Sequence, residues 1–413
     1  VAKDELQADL LFSRVESAMN NITKKNIEEW RMLRSMADER KSYYYQGDGS
    51  ESLIPHTINL AVNNSCFMKC AMCDVGQANA KKGSGDQDLF FNSRNTGQPG
   101  EQTLSTPVIK KLVDDVVPYK PIIRANFLEP LTRHDIVDIA SHVVSRGLHF
   151  YVISNGYHLA EKARDLVRAG TRCIRISMDG MRETHDMVRG IPGSFDRSIE
   201  GLRIVVDEMK KSNLTYPLVG VAFTISNHNY GALLEFYQTL EREGLVRDVY
   251  VAFIHMKYVT SVEALRQNEM YPDFAHLSSS SLAGADPSKI DTDELWQQIE
   301  AVRKAYPNGT EYKNHFLPVF NDKNEMMRWY DGKTFLYPGT SCYVPWTVAQ
   351  VYYNGDVGVN GRCVSPFFGN ILEKSFPEVW NSEEAKAFRR SVKADSNMPA
   401  CARCNRHFHK SPD

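Results

Sequence analysis

Between residues 56 and 256, short apolar runs alternate with helical stretches, and that rhythm narrows the folds open to this chain. The runs are Thr57 to Val62, Ile122 to Phe127, Phe150 to Ser154, Cys173 to Met178, Leu218 to Ile225 and Val249 to His255. Helical segments lie between them, such as Thr106 to Val117, where Thr106-Pro107 reads as a cap and first-turn pair. Strand followed by helix, repeated, predicts an α/β fold with a parallel sheet, open or curled into a partial (β/α)6 TIM-like barrel. Ligands of such sheets gather at the carboxyl ends of the strands.

Cys66, Cys70 and Cys73 sit at that end of the first strand as Cys-x3-Cys-x2-Cys. A four-iron cluster takes about one cysteine per iron, so a loop with three leaves one iron open to a small ligand. Eight cysteines in 413 residues argue for metal or catalysis rather than a disulfide framework. Four more lie near the C-terminus, Cys342, Cys363, Cys401 and Cys404, and Cys173 stands alone in an apolar run. The second set reads as a closed iron-sulfur cluster, with structural zinc as the alternative. Only Cys401 and Cys404 form a close pair, whereas a zinc ribbon usually brings two.

Positive and negative residues balance to a formal charge of −2 and no basic block occurs, so nucleic acid and membrane surfaces are not expected partners. No window reaches the length of a membrane span, and Val1-Ala2-Lys3-Asp4-Glu5 is too charged to begin a signal peptide; the expected location is cytoplasmic. The expected domains are a helical extension (1–54), the partial barrel (55–258), a helical bridge (259–340) and a C-terminal metal domain (341–413). The extension shows helical periodicity at Leu6, Leu10, Leu11 and Val15, then at Ile27, Trp30, Leu33 and Met36. Asp74 to Gln102 reads as a long surface loop and a candidate lid. The bridge holds the run Ser278 to Ser281 and a helix over Asp293 to Tyr306. Val348 to Tyr353, Asn354-Gly355 and Val357 to Val359 read as a hairpin, followed by a helix from Ser382 to Val392.

Further motifs fall at the strand ends: Phe127-Leu128-Glu129-Pro130, Ser154-Asn155-Gly156, Ser177-Met178-Asp179-Gly180, then His185-Asp186 and Arg189-Gly190. Together with the cysteine loop they resemble the radical S-adenosylmethionine (SAM) superfamily. The C-terminal Cys342-x2-Pro345-Trp346, Asn354-Gly355-Asp356, Gly369-Asn370-Ile371 and Cys401-x2-Cys404 resemble its SPASM or twitch extension, in the short form with one auxiliary cluster. The resemblance implies two [4Fe-4S] clusters, one on Cys66, Cys70 and Cys73 that chelates SAM, the other on Cys342, Cys363, Cys401 and Cys404. It implies SAM contacts at Glu129 (ammonium), Arg189 (carboxylate), Ser177, Ser154, Asn155 and Met72 (adenine). It also implies reductive cleavage of SAM, a 5′-deoxyadenosyl radical, and a flavodoxin or ferredoxin as electron donor. Phe127-Leu128 departs from the family's usual glycine pair, which puts the contacts at Glu129 in question.

Cys173, Arg175 and Ser177 share one strand parity, so Arg175 is expected to point into the barrel, where a charge must be paired or bind something. His255, at the end of the last strand, and Tyr258 are the other candidate catalytic groups, with a hydrogen-bonded core histidine as the structural alternative. A fully capped second cluster would move an electron or stabilise the fold. In this the chain is similar to the aminocyclitol dehydrogenases and related sugar- and aminoglycoside-modifying members. Residues 3 to 42 lack the strands of a leader-binding domain, so the expected substrate is a hydroxylated small molecule undergoing dehydrogenation, dehydration or epimerisation. Maturation of a ribosomal peptide is the alternative, and a non-catalytic metal-stapled protein the alternative of another class.

Overall fold

The computed structural model describes residues 35–80, 103–274, 277, 285–306, 315–333, 341–359, 363–395 and 398–404. Its core is a parallel run of strands β1 (Thr57–Leu60), β2 (Ile122–Ala125), β3 (His149–Ser154), β4 (Cys173–Ser177), β5 (Leu218–Ile225) and β6 (Tyr250–His255), each paired to the next in order. Along β3 half-buried and buried positions alternate, because one face meets a helical layer and the other faces the barrel lumen. The helices bury one stripe each: Leu159–Arg168 buries Leu159, Ala163, Leu166 and Val167, the spacing of a single helical face. That stripe meets helix Ser194–Lys211 at Gly201, where a Cβ would lie 2.7 Å from the Leu159 Cβ. Substituting Gly201 would therefore force the two helices apart.

The sheet runs past the expected six strands at both edges. β7 (His315–Leu317) pairs parallel to β6, so the segment 259–340 is not purely helical; a strand of three residues is too short to show alternation in the sequence. At the other edge β8 (Val348–Val351) pairs parallel to β1, and β9 (Asp356–Gly358) and β10 (Gly369–Asn370) follow antiparallel. The C-terminal hairpin is thus continuous with the barrel sheet, a ten-stranded whole. Of the stretch expected as a loop, Asp74–Ala80 is helical, while 81–102 lies outside the described residues, as do 1–34 and Ser278 to Ser281.

The C-terminal region also clasps the segment before β1. Trp346 Nε1 donates to Gly49 O at 3.0 Å and Trp380 Nε1 to Leu53 O at 2.9 Å. Arg389, fully buried, donates to the carbonyls of Ser50, Pro345 and Trp380. A buried guanidinium is tolerable because its donors find partners. Among the described residues no helix is long and apolar enough to cross a membrane.

Candidate active site

The loop after β1 carries Cys66, Cys70 and Cys73, and the chain holds it from two sides. Helix Asp74–Ala80 reaches back with side-chain amides: Asn79 Nδ2 donates to the Cys66 and Met68 carbonyls, and Gln77 Nε2 donates to Cys70 O at 3.2 Å. From the opposite side, Lys69 N and Ala71 N donate to Arg189 O at 3.1 Å and Val188 O at 2.9 Å. The approach is close enough to need glycine at two places. A Cβ on Gly76 would lie 2.4 Å from Cys70 N, and one on Gly190 (φ +65°) 2.7 Å from Lys69 Cβ.

Cys70 is buried and its neighbours half-buried. Burial pushes the Cys66 and Cys70 thiols up; the charge of Glu129 adds to the effect at Cys66, and Arg189 opposes it at Cys70. Iron binds the thiolate, so a loop that penalises free thiolates is suited to hold them once metal neutralises their charge. Met72 is buried between Cys70 and Cys73.

Glu129 is fully buried beyond β2. Its carboxylate accepts from Leu131 N (2.9 Å), Ser154 Oγ (2.7 Å) and Asn155 N (2.6 Å). Burial pushes Glu129 up to about 7 against the pull of those donors and of Arg189. A carboxylate offers about four acceptor sites, so these donors leave roughly one for a ligand. Arg189 does not pair with Glu129. It forms an ion pair with Asp179 at 2.5 Å and places Nη1 3.6 Å from Cys70 Sγ. Asp179, which the sequence reading quoted only as part of a motif, also accepts from Thr224 N at 2.8 Å and so fixes Arg189 to the strand layer. Two buried donors, Arg189 Nε and Asn155 Nδ2, have no partner among the described residues. Buried donors are normally satisfied, so this pair fits a bound acceptor such as a carboxylate. Ser177 is half-buried at the end of β4 beside Ala222 of β5.

Phe127 and Leu128 hold φ of +76° and +58°. The backbone keeps the left-handed turn that glycines would favour, at a cost of roughly 1–2 kcal/mol per side chain, and Glu129 N still reaches Ser65 O at 3.1 Å. In exchange the Phe127 ring stands edge-on to Tyr352 at 6.0 Å, touching the C-terminal part of the sheet.

Two candidates lie elsewhere than expected. On β6 the positions paired with the lumen residues Gly220, Ala222 and Thr224 are Tyr250, Ala252 and Ile254, so His255 faces outward. There its Nδ1 lies 2.7 Å from Tyr330 Oη, its ring meets Phe320 at 4.7 Å, and burial pushes it down to about 3. Tyr258 is also buried, with its hydroxyl donating to Trp329 O at 2.6 Å. Arg175 does face the lumen, half-buried between the fully buried Ile174 and Ile176.

The other four cysteines converge. Burial first, then Cys363 and Cys404, push the Cys342 thiol up; burial, then Cys404, Cys342 and Cys363, do the same to Cys401. Lys257, just beyond β6, opposes the rise in both and so lies within charge range of this site. Among the described residues no three His, Cys, Asp or Glu groups are arranged to hold a single metal ion; thiols around a multi-iron cluster need not meet at one point. The Cys401–Cys404 turn is fastened to helix Ser261–Met270. Ala400 N donates to Gln267 Oε1, and the fully buried Arg403 donates to both Glu263 oxygens at 2.5 Å while its guanidinium lies 4.3 Å from the Tyr258 ring centroid. Glu263 doubles as the capping-box residue of Thr260. These contacts escaped the sequence reading because their partners lie far apart in the chain.

Residues 60–237 match the radical SAM superfamily, and residues 342–405 match SPASM, an iron-sulfur cluster-binding domain. This chain carries a radical SAM domain followed by a SPASM domain and is an enzyme. A radical SAM domain carries a SAM-binding [4Fe-4S] cluster and a SPASM domain auxiliary iron-sulfur, and both thiol sets fit those groups. The chain is 28% identical over 364 residues to Fe-coproporphyrin III synthase of Methanosarcina barkeri, covering 82% of this chain and 78% of that one. It is 25% identical over 321 residues to the AdoMet-dependent heme synthase of Oleidesulfovibrio alaskensis (75% and 74% covered). It is 22% identical over 364 residues to the tungsten-containing aldehyde ferredoxin oxidoreductase cofactor-modifying protein of Pyrococcus furiosus (84% and 86%). The fold is shared with Streptococcus suis SuiB bound to S-adenosylmethionine, at a TM-score of 0.53 and 12% identity over 82% of this chain and 68% of that one.

Proposed function

We propose that this enzyme performs SAM-dependent radical chemistry on a carboxylated tetrapyrrole. The observation that carries the reading is the similarity to Fe-coproporphyrin III synthase, which covers 82% of this chain and 78% of that one. It moves the substrate away from the sugars and aminocyclitols expected from the sequence, since the relatives described above are named for tetrapyrroles or a tungsten-enzyme cofactor.

In this reading Cys66, Cys70 and Cys73 hold the SAM-binding cluster. Bound there and reduced, the cluster supplies cleavage of SAM to methionine and a hydrogen-abstracting deoxyadenosyl radical. Glu129 uses its remaining acceptor site for the SAM ammonium, and Ser154 and Asn155 hold Glu129 in place. Arg189, oriented by Asp179, offers its spare Nε to the SAM carboxylate, as Asn155 offers Nδ2. Met72 and Ser177 border the same space. Cys342, Cys363, Cys401 and Cys404 would hold the auxiliary cluster, which would supply a route for an electron to or from the site, and a flavodoxin or ferredoxin would supply reducing equivalents.

The test is anaerobic: reconstituted protein, SAM and dithionite, with and without Fe-coproporphyrin III, following 5′-deoxyadenosine and the tetrapyrrole's mass. The expected result is nucleoside release stimulated by the tetrapyrrole together with a change in its mass. Nucleoside release that ignores the tetrapyrrole, with its mass unaltered, would sink the substrate class and leave the radical chemistry standing.

A further inference from the structure

The lumen below the SAM motifs carries two arginines and no acidic residue at the inward positions of β1–β6. Arg124 on β2 and Arg175 on β4 are both half-buried, each flanked by buried neighbours that face the helices. Arg124 aligns with Tyr151 of β3, over whose ring its guanidinium lies at 5.7 Å, and Tyr151 aligns with Cys173 of β4. Both guanidinium charges reach the Cys173 thiol, where they oppose its upward shift by burial, so the two arginines share one chamber.

Arg175 is also braced. Tyr250, on β6 beyond the intervening β5, hydrogen-bonds it, and the Tyr250 ring lies so close over Gly220 that a Cβ there would come within 2.1 Å of a ring carbon. With Ala222 and Ala252 one step nearer the mouth, this side of the lumen is kept free of bulk. Two strands of separation and a two-residue offset put the arginine backbones about 10 Å apart across the sheet and about 7 Å along it. That spacing suits two anionic substituents on one rigid frame better than one small anion. Arg175 also lies about 7 Å below Ser177, one inward step beneath the SAM motifs.

We propose that Arg124 and Arg175 form a carboxylate-binding subsite that holds side-chain carboxylates of the substrate and fixes its depth beneath SAM. The assignment deepens the tetrapyrrole reading and, for that substrate, rests on it. Tyr250 and Tyr151 are positioning residues that set the two guanidinium planes. Charged hydrogen bonds of this kind contribute enough that losing one weakens binding about tenfold or more.

The experiment is an absorbance titration of Fe-coproporphyrin III and of its fully esterified methyl derivative into the reconstituted protein, for wild type, Arg124→Gln, Arg175→Gln and Arg175→Lys. The acid should bind wild type tighter than the ester, each Gln variant should lose about tenfold for the acid and little for the ester, and Arg175→Lys should regain part of the preference. Equal binding of acid and ester to wild type, or Gln variants that match wild type, would overturn the subsite while leaving the substrate class intact. If wild type binds neither compound, the substrate class fails, and the subsite is decided by whether benzene-1,3,5-tricarboxylate shields Arg124 and Arg175 from phenylglyoxal, read by peptide mass spectrometry. Shielding of both supports it; modification unaffected by the tricarboxylate overturns it.

Discussion

The two thiol sites are built on opposite plans. Cys66, Cys70 and Cys73 lie within one loop, clamped by amides of the next helix and by the backbone at Val188 and Arg189. Cys342, Cys363, Cys401 and Cys404 come from three separate segments and meet only because the C-terminal hairpin extends the barrel sheet and Arg403 ties the last turn to Glu263. The loop site depends on local geometry and stays one ligand short, which leaves room for SAM. The distant site depends on tertiary contacts and, in the proposed reading, its four thiols would close a cluster, which suits electron exchange without a bound substrate.

The strongest test of that contrast is removal of one thiol from each site. Cys70→Ala and Cys401→Ala should each lower iron from about eight to about four per chain. Only Cys70→Ala should abolish 5′-deoxyadenosine release on reduction. If Cys401→Ala abolishes it as completely, the sites are not separable in the way described.

Next in size is the brace at the C-terminal site. Glu263→Gln leaves Arg403 buried without its counter-charge and should cost roughly 3–5 kcal/mol, with apolar replacement of both residues recovering much of the loss. Iron released to a chelator should come first from the C-terminal site. Equal release from both sites would show that the brace does not support the distant cluster.

Acid sharpens the comparison further. Burial holds His56 down at about 4 and His185 and His255 at about 3, against about 6.5 in the unfolded chain. At these three histidines the folded state therefore binds fewer protons than the unfolded one, and their combined effect outweighs the opposite contribution of Glu129, pushed up to about 7. Stability is fully present above about pH 6.5 and falls as pH drops towards those lower values, by up to about 1.4 kcal/mol per pH unit per histidine. Residues 341–404 contain no histidine. Hydrogen-exchange protection, corrected for the intrinsic rate at each pH and compared at pH 7.5 and 5, should thus fall first in the barrel strands; a uniform loss of protection would contradict the assignment.

The smallest expected effect is at Lys257. Its charge lies near Cys342 and Cys401, and a nearby cation favours the reduced cluster. Lys257→Gln should lower the auxiliary midpoint potential by on the order of tens of millivolts, read by EPR-monitored titration, with the SAM-site potential unchanged.

The six barrel strands were legible because each is a local apolar run, and β5 has the bounds read from sequence. The inward direction of Arg175 followed from parity with Ser177. His255 gave no such signal: nearly every position of β6 is buried, so no polar alternation marks its lumen face. β7 is too short to register, and the edge that β8 adds to β1 joins residues nearly three hundred positions apart.

The sequence by itself determined the parallel sheet, the open cysteine loop and the motifs around it, since strand period and loop spacing are short-range properties. Only the tertiary structure decided that Asp179 holds Arg189, that Glu129 is already held by Ser154 and Asn155, that His255 turns away from the lumen, and that Lys257 lies within charge range of the distant cysteines. Those outcomes depend on which faces pack and which charges meet across long stretches of chain, where burial makes an unmatched partner costly.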